Sequence, residues 1–183
     1  PSPAGVSRPR PAAYYGERLP AAERAELIGI VESSVRRMSR MLDSVLTIGM
    51  AEAGQLEFTP APVDLGRVCA EIADEVRCAL ADRLPEPHRL VLRFAGEAAT
   101  AHLDERLLRQ ILGNLLSNGL KYSPDGGDVD CEVGIDGNDV VFTVTDCGIG
   151  IPEEDVPRLF ETFHRGSNAG NIPGTGLGMA IVG

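Results

Sequence analysis

The 183-residue chain is long enough for one hydrophobic core plus a small additional element, and its 43% hydrophobic and 24% charged residues are typical of a globular protein. The formal net charge of -10 argues against a nucleic-acid partner, because phosphate backbones require a basic surface. No apolar run reaches the roughly 18 residues of a membrane span, and no signal peptide is recognisable. A cytoplasmic location is therefore expected, with a membrane anchor in a longer parent protein left open. The four cysteines lack metal-site spacing and are expected to be reduced thiols.

The N-terminal part of the sequence predicts a linker and a long helix. Residues 1–18 are rich in Pro, Ala and Arg and are expected to be a linker or disordered. From Leu19 to about Met50, apolar residues recur at spacings of three and four, which predicts a single helix. A helix of about 30 residues is expected to pack lengthwise in a bundle or coiled coil. Its apolar row consists of Leu27, Val31, Val35, Met38, Leu42 and Val45.

The remaining sequence alternates helical and strand patterns. Gly54 ends the long helix, Pro60 and Pro62 force an extended path, and Asp64 caps the next helix. The predicted order is helix 65–82, strand 88–94, a helix opened by Asp104, a hairpin of strands 129–135 and 140–145, a short helix 152–160, a glycine-rich loop 164–176, and a final helix from Gly176. Helices beside a run of strands predict an α+β fold, a two-layer α/β sandwich preceded by the long helix.

The helix that begins at Asp104 carries two asparagines within a leucine-rich pattern. Leu112, Leu115, Leu116 and Leu120 predict a helix that is buried against an apolar surface. Asn114 and Asn118 lie about one helical turn apart, so both amides share another face. Because a buried amide without a partner is costly, this face is expected to hold a polar ligand.

Three further motifs follow these asparagines along the chain. They are Asp146-Cys-Gly148-Ile-Gly150, Phe160-Glu-Thr-Phe163 and Gly174-Thr-Gly176-Leu-Gly178. Each motif alone is weak, since the first fits any tight turn after a strand and the last fits any flexible loop. Together with the asparagine helix, and in this order, they form a highly specific set.

The four motifs resemble the N, G1, F and G2 boxes of sensor histidine kinases, within the GHKL group of ATP-binding proteins. The resemblance implies that residues 64–183 are the ATP-binding catalytic domain, of the Bergerat (GHKL) fold and truncated at its C-terminus. It implies that residues 19–55 are part of the dimerisation and phosphotransfer hairpin, namely its second helix. The cofactors implied are ATP and Mg²⁺.

The same resemblance implies roles for individual residues. Asn118 is the implied Mg²⁺ ligand, which suits the preference of this ion for oxygen donors. Asn114 and Lys121 are the implied catalytic residues, the first supporting the metal site and the second contacting phosphate. Asp146 is implied to accept a hydrogen bond from the exocyclic amine of adenine. The other implied nucleotide-binding residues are Tyr122, Gly148, Gly150, Phe163, Gly174, Thr175, Gly176, Leu177 and Gly178.

The loop 164–176 is implied to be a lid over the phosphates. Phe160 and Phe163 are expected to dock it as hydrophobic hinges. Its glycines permit a bend and are expected to place backbone N–H groups at a helix N-terminus, where phosphate is favoured. His164 and Arg165 lie in this loop and are expected to be exposed, without a role in the site.

The implied function is transfer of the ATP γ-phosphoryl group to a histidine and its relay to the receiver domain of a response regulator. The implied assembly is a homodimer that pairs through the long helix. No histidine precedes the long helix, which fits either a piece of a longer kinase or a naturally shortened relative. The first is favoured, because half a hairpin and a truncated final helix would leave apolar faces unpaired. Gly119 stands where the family usually has alanine, at a cost in helix propensity of about 1 kcal/mol.

Three alternatives stay open at this point. A GHKL ATPase would need a glutamate at the position of Asn114, because an amide cannot act as a general base. A serine kinase of the anti-sigma-factor type is disfavoured by the long helix. A pseudokinase scaffold would only dimerise, and it would not show magnesium-dependent nucleotide binding.

Overall fold

The computed structural model describes residues 20–81, 84, 88–96 and 100–183, and the predicted linker 1–18 lies outside them. These ranges contain four α-helices and five β-strands. In chain order they are α1 (Ala21–Glu52), β1 (Ala61–Asp64), α2 (Leu65–Leu80), β2 (His88–Phe94), β3 (Thr100–Leu103), α3 (Glu105–Lys121), β4 (Gly127–Asp136), β5 (Asp139–Thr145) and α4 (Gly178–Val182). The predicted α+β class with a long first helix is confirmed.

The main sheet has three strands in the order β2-β4-β5. Strand β2 runs parallel to β4, with Leu90 opposite Val129. Strands β4 and β5 form an antiparallel hairpin in which Val133 lies opposite Phe142. The hairpin and the strand 88–94 are both predicted from the alternation of apolar residues, and both are confirmed.

A second, two-stranded sheet is missing from the sequence prediction. Strand β1 pairs antiparallel with β3, and Pro62 lies opposite His102. The prolines predict only an extended path here, because the partner strand is distant in sequence and no hairpin turn joins the two. This pair ties the segment before α2 to the segment before α3.

Helices α2 and α3 form the second layer and pack on the main sheet. Each has an aspartate cap: Asp64 accepts from the backbone N–H of Arg67 at 2.9 Å, and Asp104 accepts from that of Leu107 at 3.1 Å. The two helices and the sheet share one core. Its fully buried members include Leu65, Val68, Cys69, Ile72, Leu112, Leu116, Leu120, Val129 and Cys131.

One predicted helix near the C-terminal end is wrong in extent, and a second begins two residues after its approximate predicted start. Residues 152–160 are predicted as a helix, but only a single 3₁₀ turn, Val156–Arg158, forms there. Pro157 has no N–H to donate and its ring collides with the preceding turn, so an α-helix cannot continue through it. The last helix begins at Gly178 rather than Gly176, because the φ angle of Gly176 is +72°, outside the helical region.

Helix α1 exposes its apolar residues. The described residues divide into two compact units, with the boundary between Leu42 and Asp43. The exposed large apolar residues of α1 have exposed fractions between 40% and 63%; they are Leu27, Ile28, Ile30, Val31, Val35, Met38, Met41, Leu42, Val45, Leu46 and Met50. A row of this kind favours packing against another helix. None of the described helices is both long and apolar enough to cross a membrane.

Gly119 lies on the side of α3 that packs against β4. A Cβ atom added to this glycine would lie 2.9 Å from Cγ1 of Val129 and 3.5 Å from Cβ of Asp146. A contact this short would force Val129 to move, and its β-branched side chain has little rotamer freedom. The glycine that stands in place of the usual alanine is therefore matched to a valine on the facing strand.

We expect the substitutions Gly119→Ala and Val129→Ala to be coupled. Gly119→Ala alone gains about 1 kcal/mol of helix propensity but overpacks the core at a cost of about 1–3 kcal/mol. Val129→Ala alone leaves a cavity, which the added methyl group of the double variant would partly fill. A double-mutant cycle measured by urea unfolding should give a favourable coupling of about 1 kcal/mol or more. Additivity within about 0.5 kcal/mol would show that the two side chains do not compete for this space.

Candidate functional site

A cavity of about 300 Å³ opens between the C-terminal half of α3 and the loops that follow β5. Ten of the predicted site residues line it: Asn114, Asn118, Lys121, Tyr122, Asp146, Gly150, Gly174, Thr175, Gly176 and Gly178. The fold thus brings together residues from three separate stretches of the sequence. Gly148, Phe163 and Leu177 do not line the cavity.

The two asparagines of α3 face the start of α4. A Cβ atom added to Gly178 would lie 3.2 Å from Oδ1 of Asn114 and 3.7 Å from Nδ2 of Asn118. Both side chains are partly buried, while Leu112 and Leu116 on the other side of the helix are buried in the core. Among the described residues, no hydrogen bond engages either side-chain amide. The amide pair is therefore available to a ligand in the cavity.

The turn after β5 is fastened to the end of α3 through Tyr122. The carbonyl oxygen of Tyr122 accepts from the backbone N–H of Ile149 at 2.9 Å. A Cβ atom added to Gly148 would lie only 2.3 Å from that same oxygen, so the close approach requires glycine. Oδ1 of Asp146 accepts from the N–H of Gly148 at 2.9 Å, which fixes the carboxylate at the rim of the cavity.

The Gly174–Gly178 segment is held by backbone contacts. The N–H of Phe163 donates to the carbonyl of Gly176 at 2.9 Å, and Phe163 itself has a φ of +63°. The ring of Phe163 is 60% exposed, so the backbone of this residue docks the loop, in contrast to the predicted hydrophobic hinge. Leu177 is buried, with 2% of its surface exposed, and anchors the segment below the cavity. A Cβ atom added to Gly174 would lie 3.4 Å from the Tyr122 hydroxyl.

Three residues at the cavity have no role in the sequence prediction, although each makes a polar contact there. His164, predicted to be exposed, has only 10% of its side chain exposed and lies 3.3 Å from Asp155, which also lines the cavity. Asn168 donates through Nδ2 to the carbonyls of Ile149 at 3.2 Å and Gly150 at 3.0 Å. No sequence pattern signals these contacts, because they join loop residues whose approach depends on the backbone path.

Cationic side chains also line the cavity, in a chain whose formal charge is -10. Lys121 lies at the end of α3 and Arg165 lies in the loop. Arg165 is exposed, as predicted, but its guanidinium donates to the carbonyl of Ile172 at 2.5 Å and so braces the loop. The cavity therefore combines two cations with neutral amides, a donor set that suits a polyanion with a bound metal ion.

The N-terminus of α3 is fixed to the segment that precedes β1. Buried Asp104 uses both carboxylate oxygens: Oδ1 accepts from Leu107 N–H at 3.1 Å and Oδ2 accepts from Thr59 N–H at 3.0 Å. The bond from Thr59 is the main cause that lowers the pKa of Asp104 below its ordinary value. Arg106 adds a bond to the carbonyl of Glu57 at 3.2 Å. These contacts set the position of the helix that carries the two asparagines.

Comparisons with known proteins agree on one family. Residues 103–183 match the model of the histidine kinase-, DNA gyrase B- and HSP90-like ATPases. Sensor histidine kinase Hik2 of Thermosynechococcus vestitus is 36% identical over 128 residues, which are 69% of this chain and 32% of that protein. The solved structure of the mycobacterial sensor histidine kinase MprB has a TM-score of 0.55 at 30% identity and covers 68% of this chain and 76% of its own. Full-length ShkA in complex with AMPPNP gives a TM-score of 0.69 at 29% identity, over 90% of this chain and 34% of its own.

The chain belongs to the histidine kinase-, DNA gyrase B- and HSP90-like ATPase family, and within it to the sensor histidine kinases. It carries the ATP-binding catalytic domain of that family, with the predicted GHKL fold. The chain spans about a third of the length of curated relatives such as Hik2 and the phosphate regulon sensor PhoR of Pseudomonas aeruginosa, at 32% and 34%.

We expect Asp104→Asn to destabilise the protein, although asparagine is itself a good helix cap. The amide can replace only one of the two accepting oxygens, so the Thr59 N–H loses its partner at a cost of about 1–2 kcal/mol. The pKa of Asp104 is lowered in the folded state, so the ionised carboxylate contributes to the free energy of unfolding. This contribution is complete at pH values above the ordinary carboxyl pKa and is lost as the pH falls through the folded-state pKa. Urea unfolding at pH 7 and pH 3.5 should therefore give a smaller difference between the variant and the wild type at the lower pH.

Asp64→Asn provides the matched control. Asp64 caps α2 through one oxygen only and is exposed. Its replacement should cost no more than about 0.5 kcal/mol, because the cap is retained. Equal decreases in the free energy of unfolding for Asp104→Asn and Asp64→Asn at pH 7 would contradict the role given to the bond from Thr59.

Proposed function

We propose that this chain binds Mg²⁺-ATP in the cavity and transfers the γ-phosphoryl group to a histidine, from which it passes to the receiver domain of a response regulator. The observation that carries the proposal is the pair of side-chain amides on α3 that faces the cavity and the first residue of α4. The relatives named above are sensor histidine kinases, which supports a histidine as the acceptor of the phosphoryl group from ATP. The proposed site of action is the cytoplasm.

The donor atoms of the amide pair fit a magnesium ion. Mg²⁺ prefers oxygen ligands and retains several waters, so one neutral amide oxygen leaves room for phosphate oxygens. We assign the metal contact to Asn118 and the positioning of the same ion or its waters to Asn114. When bound, the ion would supply positive charge to the phosphate oxygens during transfer.

The proposed base-binding edge is the turn after β5. The Asp146 carboxylate would accept from the exocyclic amine of adenine, which would select adenine over guanine. Gly150 lines the cavity without a side chain, while Gly148 keeps the turn against Tyr122. The ShkA structure with AMPPNP supports an adenine nucleotide as the ligand of this fold.

The proposed phosphate-binding groups come from the end of α3 and from the Gly174–Gly178 segment. Lys121 would contribute a point charge, and the Gly174–Gly178 segment would bring backbone N–H groups close to the phosphates. Phosphoryl transfer asks little covalent chemistry of the protein, so the residues act by orientation and electrostatics. The Gly174–Gly178 segment is held to the rest of the site by Phe163, whose backbone N–H donates to the carbonyl of Gly176.

The proposed assembly is a homodimer that pairs through α1. The exposed apolar residues of this helix support a bundle with a second copy and with the helices that carry the phosphoacceptor. Helix α1 itself contains no histidine, so the acceptor would be provided by another helix. Hydrolysis of ATP as the main reaction is less well supported, because Asn114 cannot act as a general base.

We expect Asn118→Ala to remove the magnesium dependence of nucleotide binding. Calorimetric titration of the wild type with ADP should show at least about tenfold tighter binding with Mg²⁺ than with EDTA, since about 1.4 kcal/mol corresponds to a factor of ten. In Asn118→Ala the two titrations should agree, because the amide oxygen that links metal to protein is absent.

Asn138→Ala serves as the control for this titration. Asn138 lies in the turn of the β4-β5 hairpin, directly before the start of β5. The cavity residues follow Thr145, at the other end of the same strand. This variant should bind as the wild type does. Magnesium-independent binding by the wild type would favour the nucleotide-binding scaffold over the kinase.

We expect no stable labelling of this chain by γ-labelled ATP on its own. The histidines of the sequence are His88, His102 and His164, and none lies in α1. Addition of a polypeptide with the acceptor helix hairpin of a sensor kinase should produce an acid-labile, base-stable label on that hairpin. Stoichiometric labelling of this chain alone would contradict the proposed acceptor arrangement.

A further inference from the structure

Two loop residues, His164 and Ser167, converge on the side chain of Asp155, which is 8% exposed. Its Oδ2 accepts from the backbone N–H of Ser167 at 2.7 Å and from the Ser167 hydroxyl at 2.9 Å. Its Oδ1 lies 3.3 Å from Nε2 of His164. One carboxylate therefore contacts two points of the segment that enters the lid.

His164 is buried at this contact without a completed hydrogen bond. Its side chain is 10% exposed, and Nε2 is buried with no hydrogen-bond partner among the residues that the structure describes, although Oδ1 of Asp155 is within ion-pair distance. An unpaired buried nitrogen is costly when the ring is neutral. Protonation would turn the same contact into a charge-assisted pair. The contact therefore has two states of different strength.

The same segment is tied to the base-binding turn by Asn168. Its Nδ2 donates to the carbonyls of Ile149 and Gly150 at 3.2 and 3.0 Å. Residues 164–168 are thus held at both ends: His164 and Ser167 contact Asp155, and Asn168 donates to the carbonyl of Gly150. The glycines of the lid, beginning at Gly170 with a φ of +48°, follow this fastened segment.

We propose that Asp155 and His164 form a clasp that positions the nucleotide lid, and that the clasp is tighter when His164 is protonated. In the protonated state the imidazolium and Ser167 hold both oxygens of Asp155, and the start of the lid is fixed over the cavity. In the neutral state only Ser167 holds the carboxylate. The free-energy cost of ordering the lid must then be offset by the binding of the nucleotide, which weakens the observed affinity. His164 and Asp155 are positioning residues, because neither is assigned a contact with the reacting atoms.

The charged groups around the clasp are compatible with this behaviour. The bonds from Ser167 hold the pKa of Asp155 below its ordinary value, so this carboxylate stays ionised when an imidazole titrates, between about pH 5 and 8. Glu154 lies at the same serine, 3.3 Å from its hydroxyl, and the backbone carbonyl of Glu161 accepts from the His164 N–H at 3.3 Å. The side chains of Glu161 and Arg158 are paired with each other at 2.9 Å.

Three other charged residues face the same cavity. Arg165 follows His164 and is bonded to the carbonyl of Ile172, while Lys121 and Asp146 lie on the α3 side. The anion beside the imidazole is therefore Asp155, and the cations nearest to the expected phosphates are Lys121 and Arg165. Nucleotide binding is expected to tighten as His164 becomes protonated.

The inference rests on the proposed nucleotide site and is tested by the pH dependence of binding. Dissociation constants for Mg²⁺-ADP would be measured by calorimetry at pH 6 and pH 8 for the wild type, His164→Gln and the control His102→Gln. His102 is exposed on β3. The phosphates of the nucleotide titrate near pH 6 themselves, so the ratio of variant to wild type at each pH is the readout.

We expect His164→Gln to bind at least about threefold more weakly than the wild type at pH 6 and almost equally at pH 8, since glutamine cannot form the charged contact that a protonated imidazole makes with Asp155. Near-equal binding at pH 8 also shows that the variant is folded. His102→Gln should match the wild type at both values. A ratio for His164→Gln that is the same at pH 6 and pH 8 would overturn the clasp, whereas a wild type that binds no Mg²⁺-ADP at either pH would overturn the proposed nucleotide site instead.

Hydrogen exchange tests the clasp without nucleotide. The Ser167 amide, which donates to Asp155, should be protected in the free wild type and at least about tenfold less protected in Asp155→Asn, because the bond loses its charged acceptor. The protection factor of the same amide should be higher at pH 6 than at pH 8 in the wild type but not in His164→Gln. An unprotected Ser167 amide in the wild type would overturn the clasp whatever the nucleotide result.

Discussion

The structure depends on one constraint: helix α3 must fill the core with one face and present two amides to a cavity with another. Leu112 and Leu116 are 1% and 0% exposed, while Asn114 and Asn118 reach the start of α4. Because residues three and four apart share a face, a rotation of the helix about its axis would damage the core and the site together. The cap at Asp104 and its bond to Thr59 therefore serve the site as well as the fold.

The other walls of the cavity are loops, and their order comes from close backbone contacts. Gly148 lies against the carbonyl of Tyr122, and Gly176 lies against the backbone of Phe163, each where a Cβ atom would collide. Asn168 then joins the turn after β5 to the loop 164–176 by two hydrogen bonds. These contacts give the loops defined positions with little apolar burial. Because little apolar burial holds it, the lid can change its conformation when a ligand binds.

Periodicity in the sequence predicts the parts of this fold whose order is local. The long helix, the strand 88–94 and the hairpin are found where alternation and spacing place them. The β1-β3 pair was not predicted because its partners are remote in sequence, and Pro157 stops the helix expected over 152–160. For the site, ten of the thirteen residues that the motifs indicated line the cavity, but contacts such as that of His164 with Asp155 depend on a loop path that no pattern reveals.

The central claim is that the amides of Asn114 and Asn118 hold a chelated nucleotide, and paramagnetic relaxation tests it most directly. In NMR spectra of the protein with ADP and Mn²⁺ in place of Mg²⁺, nuclei close to the metal ion lose their signals. We predict that the side-chain amide signals of Asn114 and Asn118 disappear while that of Asn138, in the distant hairpin turn, remains. Persistence of both α3 amide signals while the protein is saturated with Mn²⁺-ADP would contradict the account.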